Sequence, residues 1–183
     1  MKQTRSWVVP AAAALWLSLF PGCPAEGVGD PCVPEDEYSA TFSGFSVTEV
    51  STESRSFQCQ SRLCLVNHFQ GRVSCPYGQE ANGGHCKLPG SNDAVNLTVK
   101  PQLLERRDED AVYCSCRCAG PDAAARYCDC PSGFSCSEVV PDLGRGGAQL
   151  PGKYCIRAGS AYDKSQLSEN EVCDRALGNC GAE

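Results

Sequence analysis

The sequence predicts a small disulfide-rich fold, mostly β and irregular, with short strands and hairpins and little helix apart from a signal peptide. Two observations support this. From residue 23 onward only 28 of 161 residues are Leu, Ile, Val or Phe. This share, about 17%, is below the roughly 20% under which a highly charged chain is expected to stay disordered. The chain also has 15 cysteines, and such a density is typical of domains in which disulfides supplement a thin hydrophobic core.

Residues 1–22 have the layout of a secretory signal peptide. Lys2 and Arg5 give a positive start, and an apolar stretch follows from Trp7 to Phe20 before a proline–glycine pair interrupts it. A membrane-spanning helix needs roughly 20 apolar residues. The stretch is shorter than that, so we expect an export signal, and an uncleaved anchor remains the alternative.

The charge of the exported chain bears on its partners. Without the signal, 14 basic and 22 acidic residues remain, so the net charge changes from -6 to -8. Nucleic acid and anionic lipid would both repel such a chain. We therefore expect no nucleic acid partner.

Strand and helix signals along the exported chain are weak. Alternation of apolar and polar residues predicts strands at 41–50 and 94–100. Shorter strands are predicted at 72–75 and 153–157, where turn-forming residues lie nearby. The remaining candidates fit either short helices or irregular loops between cystines. They are residues 121–127 and 165–177.

The domain organisation follows from composition and from cysteine parity. Residues 23–37, rich in Pro, Gly and acid, predict a flexible N-terminal stalk, and 38–183 form the disulfide-rich unit. Two lobes, 38–90 and 111–183, are joined by 91–110. The first lobe with its stalk holds five cysteines after residue 23 and the second holds nine. Both numbers are odd, so at least one bridge must cross the linker if all pair within the chain, and we expect one covalently linked unit.

We expect seven disulfides, because exported cysteines meet an oxidising compartment. Their pairing cannot be deduced from sequence, although the last two cysteines are close enough to form a local pair. The predicted disulfide cysteines are Cys32, Cys59, Cys64, Cys75, Cys86, Cys114, Cys116, Cys118, Cys128, Cys130, Cys136, Cys155, Cys173 and Cys180.

The stretch "YCSCRCAG" offers the main alternative to a purely structural use of cysteine. In an extended strand Cys114, Cys116 and Cys118 would project from one face, and three thiolates could hold a soft metal ion. The other interpretation is three disulfides to three different partners, since alternate strand positions are poorly placed to bridge each other. An oxidising compartment favours the disulfides. No two cysteines stand three apart, which excludes the usual thioredoxin-like motif and the usual zinc ribbon.

Motifs for catalysis are scarce. A nucleophile–histidine arrangement would have to use His68 or His85, the only two histidines, and neither lies in a recognisable catalytic motif. The acidic run at 106–111 lacks the spaced oxygen ligands and glycine of a calcium loop. We expect no enzyme activity, no cofactor and no resident metal.

Three motifs point to a family. "FPGC" at 20–23 resembles a bacterial lipobox, and "GDPC" at 29–32 and "CQSRLC" at 59–64 follow it. With these motifs the chain resembles the cysteine-rich lipoproteins of Gram-negative bacteria, a group mostly without assigned function. The resemblance implies that Cys23 is acylated and becomes the new N-terminus. Since Pro24 rather than Asp follows it, the resemblance also implies sorting to the outer membrane.

Cleavage after Ala25 is the alternative, and it would discard Cys23 and give a secreted or periplasmic protein. Either cleavage removes Cys23 from the disulfide pool and leaves an even number. We expect an extracytoplasmic protein held to the membrane by its lipid, with a structural or binding role and an unknown protein or carbohydrate ligand. The alternatives are a thiolate metal-binding protein using the 114–118 cluster and a secreted, soluble binding module.

Overall fold

Two three-stranded antiparallel sheets organise the part of the chain that the structure describes. The structure is a computed structural model, and it describes residues 26–140, 151–168 and 170–180. Within these ranges helix is limited to a four-residue α-helix and two short 3-10 helices, and seven disulfides join the elements. The predicted disulfide-rich β and irregular fold is thus confirmed.

The first sheet has the order β1-β2-β3. Its strands are β1 (Val50–Glu53), β2 (Cys64–Asn67) and β3 (Val112–Cys114), and the α-helix α1 (Asp108–Ala111) leads directly into β3. All four residues of β2 are buried because the strand lies between two neighbours. The chain enters the fold on the open side of β3, where the Gly29 amide donates to the Cys114 carbonyl at 2.8 Å.

The second sheet has the order β4-β6-β5. Its strands are β4 (Arg117–Ala119), β5 (Phe134–Val140) and β6 (Gly152–Arg157). The central strand β6 contains the segment 153–157, so the strand predicted there is confirmed. Its buried residues Tyr154 and Ile156 face the first sheet, while Cys155 between them is buried on the opposite face.

The two sheets share a core. Leu65, Tyr113, Tyr154 and Ile156 form one buried cluster, with members from both sheets. Strand β3 also pairs with β2, so the predicted boundary at 91–110 separates neighbours in one sheet. Residues from both predicted lobes, 38–90 and 111–183, therefore contact each other in this sheet and in this cluster.

The predicted stalk ends earlier than residue 37. Cys32 is buried and bridged to Cys64, and Glu37 is fully buried in a 3-10 helix spanning Glu35–Tyr38. Residues 29–37 therefore belong to the folded unit, while residues 23–25 lie outside the described residues. The composition was misleading because a disulfide and a buried ion pair hold this acidic, proline-containing segment.

Other predicted elements are also replaced by less regular structure. Segments 41–50, 72–75 and 94–100 contribute isolated bridges rather than the expected strands, apart from Val50 at the start of β1. In segment 94–100 a side chain replaces the hydrogen bonds of a neighbouring strand, since the Gln79 side-chain Nε2 donates to the backbone carbonyls of Val95 and Leu97. Of the two helix candidates, 121–127 is a turn, and the described part of 165–177 holds only a 3-10 helix at Lys164–Gln166.

Candidate functional site

Every cysteine among the described residues has a disulfide partner. Cys59–Cys114 joins the two sides of the 91–110 segment, as the parity argument requires, and Cys173–Cys180 is the local pair. The other bridges are Cys32–Cys64, Cys75–Cys86, Cys116–Cys128, Cys118–Cys136 and Cys130–Cys155. Cys23, the predicted lipidation site, lies outside the described residues.

Cys114, Cys116 and Cys118 do not project from one strand face. The strand is interrupted at Ser115–Cys116, so Cys114 ends β3 in the first sheet and Cys118 lies in β4 of the second. The single-face prediction is therefore wrong, because it assumed one continuous strand. The three cysteines bridge to three different partners, Cys59, Cys128 and Cys136.

Sulfur atoms of different bridges lie close together. The Cys155 Sγ is 3.6 Å from the Cys116 Sγ and 3.8 Å from the Cys128 Sγ, so two disulfides are in contact. The sulfurs of Cys118, Cys130 and Cys155 also lie within 4.8 Å of one another, as do those of Cys32, Cys59 and Cys114. A cysteine binds a metal ion as a thiolate, and each of these sulfurs is bonded to another sulfur. Metal binding here would therefore require reduction of the bridges.

The two histidines have different surroundings. His68 has a positive φ of 53°, and its ring stacks on Tyr162 with a centroid separation of 3.8 Å. The His68 Nδ1 lies 3.0 Å from the Val47 carbonyl, which therefore accepts a hydrogen bond from the protonated nitrogen. Burial lowers the pKa of His68, and the nearby Arg106 charge adds to that effect. His85 lies exposed in a loop. Neither arrangement contains a nucleophile in hydrogen-bond contact with a histidine.

A polar cleft of 360 Å³ lies beside the turn after β6, next to a second one of 270 Å³. Arg106 lines the first cleft, and its guanidinium donates to the carbonyls of His68 at 2.7 Å, Ser160 at 3.0 Å and Asn67 at 2.6 Å. Arg157 lines both clefts. The first cleft also contains Glu105, Asp110 and Asp163. Because both signs of charge occur there, the cleft offers hydrogen-bonding groups without a strong net field.

The acidic run at 106–111 forms the end of the linker and α1. Glu109 pairs with Arg107 at the surface, and burial raises the pKa of Asp108. Among the described residues, the acidic side chains of this run do not converge on a common point. The arrangement gives no support to a calcium site.

A third surface feature is a groove of 490 Å³ beside the β1–β2 hairpin loop. Phe57 is 88% exposed and Tyr38 is 50% exposed, and the Arg62 guanidinium lies 4.5 Å from the centre of the Phe57 ring. The other lining residues are Val33, Glu35, Glu53, Arg55 and Gln58. Sequence reasoning missed this groove, because nothing in the local pattern marks Phe57 as more exposed than the other aromatic residues.

No protein-family model, curated protein or solved structure matches this chain. The functional argument therefore rests on the disulfides, the clefts and the groove described above. No helix in the described ranges is long and apolar enough to cross a bilayer.

Proposed function

We propose that the chain is an exported, lipid-anchored protein of the bacterial envelope, braced by disulfides and serving a structural or binding role. The observation that carries this proposal is that the fourteen described cysteines form seven bridges. Structural disulfides persist mainly in oxidising, extracytoplasmic compartments. The signal-like segment at 1–22 agrees independently with that address.

Two further observations support the anchor at Cys23. The described cysteines all pair with one another, so an acylated Cys23 would leave no described partner unpaired. Gly29 is the first described residue whose backbone is hydrogen-bonded to a strand, since its amide donates to the Cys114 carbonyl of β3. A tether of about six residues would then connect the lipid to the folded unit, and outer-membrane sorting follows from Pro24 by the same resemblance.

A structural or binding role is favoured over catalysis because the histidine and cysteine side chains that could act in catalysis are engaged in structural contacts. His68 is held by stacking and by its contact with the Val47 carbonyl, and the described cysteines are oxidised. The surface of the described residues has concave features at which a ligand could bind, among them two adjacent polar clefts and a groove with exposed aromatic side chains. Such surfaces suit a protein or carbohydrate ligand better than a bond-breaking reaction.

The test is the intact mass of the protein purified from membranes of a Gram-negative host, with and without reductant. We expect an N-terminus at Cys23 carrying acyl chains, and a gain of fourteen hydrogens on reduction, two for each of the seven bridges. A chain beginning at Glu26 without lipid would instead support the secreted alternative. Free thiols in the unreduced, folded protein would support the metal-binding alternative and refute the proposal.

A matched control is Cys23→Ser. This substitution removes the acylated sulfur and leaves all described cysteines in place, so the seven bridges should form while the acyl mass is lost. If Cys23→Ser protein still carried lipid, the anchor would be attached elsewhere and the assignment of Cys23 would be wrong.

A further inference from the structure

The segment by which the chain enters the fold runs along the β1–β2 hairpin loop, residues 54–63. The Val33 amide donates to the Gln58 Oε1 at 3.0 Å, and the Gln58 Nε2 donates back to the Val33 carbonyl at 2.7 Å. Further upstream Gly27 lies against Gln60, because a Cβ at residue 27 would stand 3.4 Å from the Gln60 Cβ. The first described residues and the hairpin loop therefore share one side of the molecule.

This loop presents Phe57 to solvent. The ring is 88% exposed, although burial of a phenylalanine side chain is worth about 1.5 to 3 kcal/mol. The loop is held by the Cys59–Cys114 bridge and by a hydrogen bond from the Ser56 amide to the Arg62 carbonyl at 3.0 Å. Since these two constraints flank Phe57, the loop is not free to turn the ring into the core.

The proposed lipid site is close to this ring along the chain. Cys23 precedes Gly27 by four residues, and four residues span at most about 14 Å. Acyl chains on Cys23 would therefore hold the bilayer within a short distance of Gln60, three residues from Phe57. No comparable sequence constraint brings the anchor near Leu177, another large exposed hydrophobic residue, which is 73% exposed.

We infer that the loop face, defined by Tyr38, Arg55, Phe57 and Arg62, lies against the lipid bilayer in the anchored protein. Phe57 enters the interfacial region, where aromatic rings are stabilised, and the two arginines reach lipid phosphates while their stems cover apolar surface. This orientation rests on the proposed function, since it requires the anchor at Cys23.

The charges that line the groove indicate which lipid headgroups this face would bind. Glu35 and Glu53 line the same groove as Arg55 and Arg62, so the formal charges balance there, whereas the exported chain as a whole has a net charge of -8. A strongly anionic membrane would repel the protein. The loop face is suited to a zwitterionic surface, with apolar burial supplying the attraction.

Tryptophan fluorescence tests this orientation. Both native tryptophans lie in residues 1–22, so Phe57→Trp places a single reporter in the processed protein. We expect the acylated variant, reconstituted in phosphatidylethanolamine–phosphatidylcholine vesicles, to show a blue-shifted emission and to lose most of its intensity when the lipids carry brominated acyl chains. Leu177→Trp is the matched control, because it also replaces an exposed apolar residue but lies on the Cys173–Cys180 loop. Its emission should remain that of a solvated indole and should not be quenched.

The outcomes separate the orientation from the anchor. If the intact mass shows acylation but the two variants give equal emission and equal quenching, the anchor stands and the orientation is refuted. If the mass shows no acyl chain, the anchor is refuted and the orientation falls with it. The gain of fourteen hydrogens on reduction, measured for both variants, verifies that each carries the native number of bridges.

Discussion

The carboxylate of Glu37 and the guanidinium of Arg72 face each other at 3.9 Å, and neither side chain is exposed to solvent. Glu37 also accepts hydrogen bonds from the amides of Val73 at 2.6 Å and Ser74 at 3.0 Å. Arg72 donates to the carbonyl of Glu37 and, at 2.7 Å, to that of Phe42. The pair therefore attaches the 3-10 helix Glu35–Tyr38 to the turn that contains Arg72, after β2.

Removal of one partner of this pair should strongly destabilise the fold. Glu37→Ala leaves the buried Arg72 guanidinium without its counter-ion and the amides of Val73 and Ser74 without their acceptor, a loss of about 3 to 5 kcal/mol. Glu37→Gln keeps one oxygen acceptor and should cost less. Guanidinium chloride unfolding with the bridges intact measures both changes. Glu80→Ala, at an exposed site, is the control and should stay within about 0.5 kcal/mol of wild type.

The same pair predicts a pH dependence. Burial raises the pKa of Glu37 above its usual 4.5, against opposing hydrogen bonds from Ser74 and Val73 and the charge of Arg72. A folded-state pKa above the unfolded one gives a contribution to stability that is complete below 4.5 and is lost as the pH rises through the folded pKa. Wild type should therefore lose stability relative to Glu37→Gln over that rise. Parallel stability–pH curves for the two proteins would contradict the assignment.

Arg106 should be intolerant of lysine. Its guanidinium reaches three carbonyls, those of Asn67, His68 and Ser160, and a single ammonium lacks the fork that matches them. We expect Arg106→Lys to lose about 2 to 3 kcal/mol of stability, the scale of a hydrogen bond to a charged group. Arg107→Lys is the neighbouring control, since the Arg107 side chain pairs with Glu109 at the surface and lysine keeps that charge. Equal thermal stability of the two variants would show that the fork is dispensable.

Sequence reasoning predicted those features that depend on composition and counting. The number of cysteines indicated a disulfide-rich fold, and parity alone required a bridge such as Cys59–Cys114 across the linker. The local pair Cys173–Cys180 followed from its short separation of seven residues. These inferences do not depend on three-dimensional detail.

The features it missed depend on contacts between residues far apart in the chain. Glu37 lies in an acidic, proline-containing stretch whose composition is typical of a solvated stalk. Its burial is tolerated because the amides of Val73 and Ser74 and the charge of Arg72, about 35 residues later in the chain, compensate its carboxylate. The alternation at 94–100 predicted a strand, but Gln79 satisfies two of its carbonyls through a side chain. The stacked pair His68 and Tyr162 has no local signal at all. In each case the stabilising partner lies far away in the sequence, and the local pattern of apolar and polar residues gives no sign of it.

Protonation of His68 should weaken the fold. Burial lowers the pKa of His68 below its usual 6.5, with a further contribution from the charge of Arg106. A folded-state pKa below the unfolded one gives stability that is present above 6.5 and is lost as the pH falls through the folded pKa. Wild type should lose thermal stability on acidification more steeply than His68→Asn. Asparagine tolerates the positive φ of this position, so the variant should fold.

His68→Asn also removes the stacking on Tyr162, so its stability at neutral pH should be somewhat lower than that of wild type. The informative quantity is the slope against pH rather than the absolute value. If both proteins lost stability equally from pH 7 downward, the titrating group would lie elsewhere.

Among the described bridges, we expect loss of Cys59–Cys114 to lower the free energy of unfolding most. It closes a separation of 55 residues, whereas Cys173–Cys180 closes seven. If a disulfide stabilises by restricting the unfolded chain, the expected contributions are about 4 and about 2 kcal/mol respectively. The double variants Cys59→Ala/Cys114→Ala and Cys173→Ala/Cys180→Ala should therefore differ by about 2 kcal/mol in denaturant unfolding, and burial of Cys59 and Cys114 in the core adds to the larger loss.

A second experiment tests the Cys59–Cys114 bridge independently of stability, by asking whether two fragments of a cleaved chain stay covalently joined. Among the described bridges, Cys59–Cys114 alone crosses the peptide bond after Arg107. A single nick there should leave wild-type fragments joined in denaturant until reductant is added, because the bridge links them covalently. The same nick in Cys59→Ala/Cys114→Ala should release two fragments without reductant, while in Cys173→Ala/Cys180→Ala they should stay joined. Release from nicked wild type would mean that these two cysteines pair otherwise, and the joining of the two sides of the linker would be refuted.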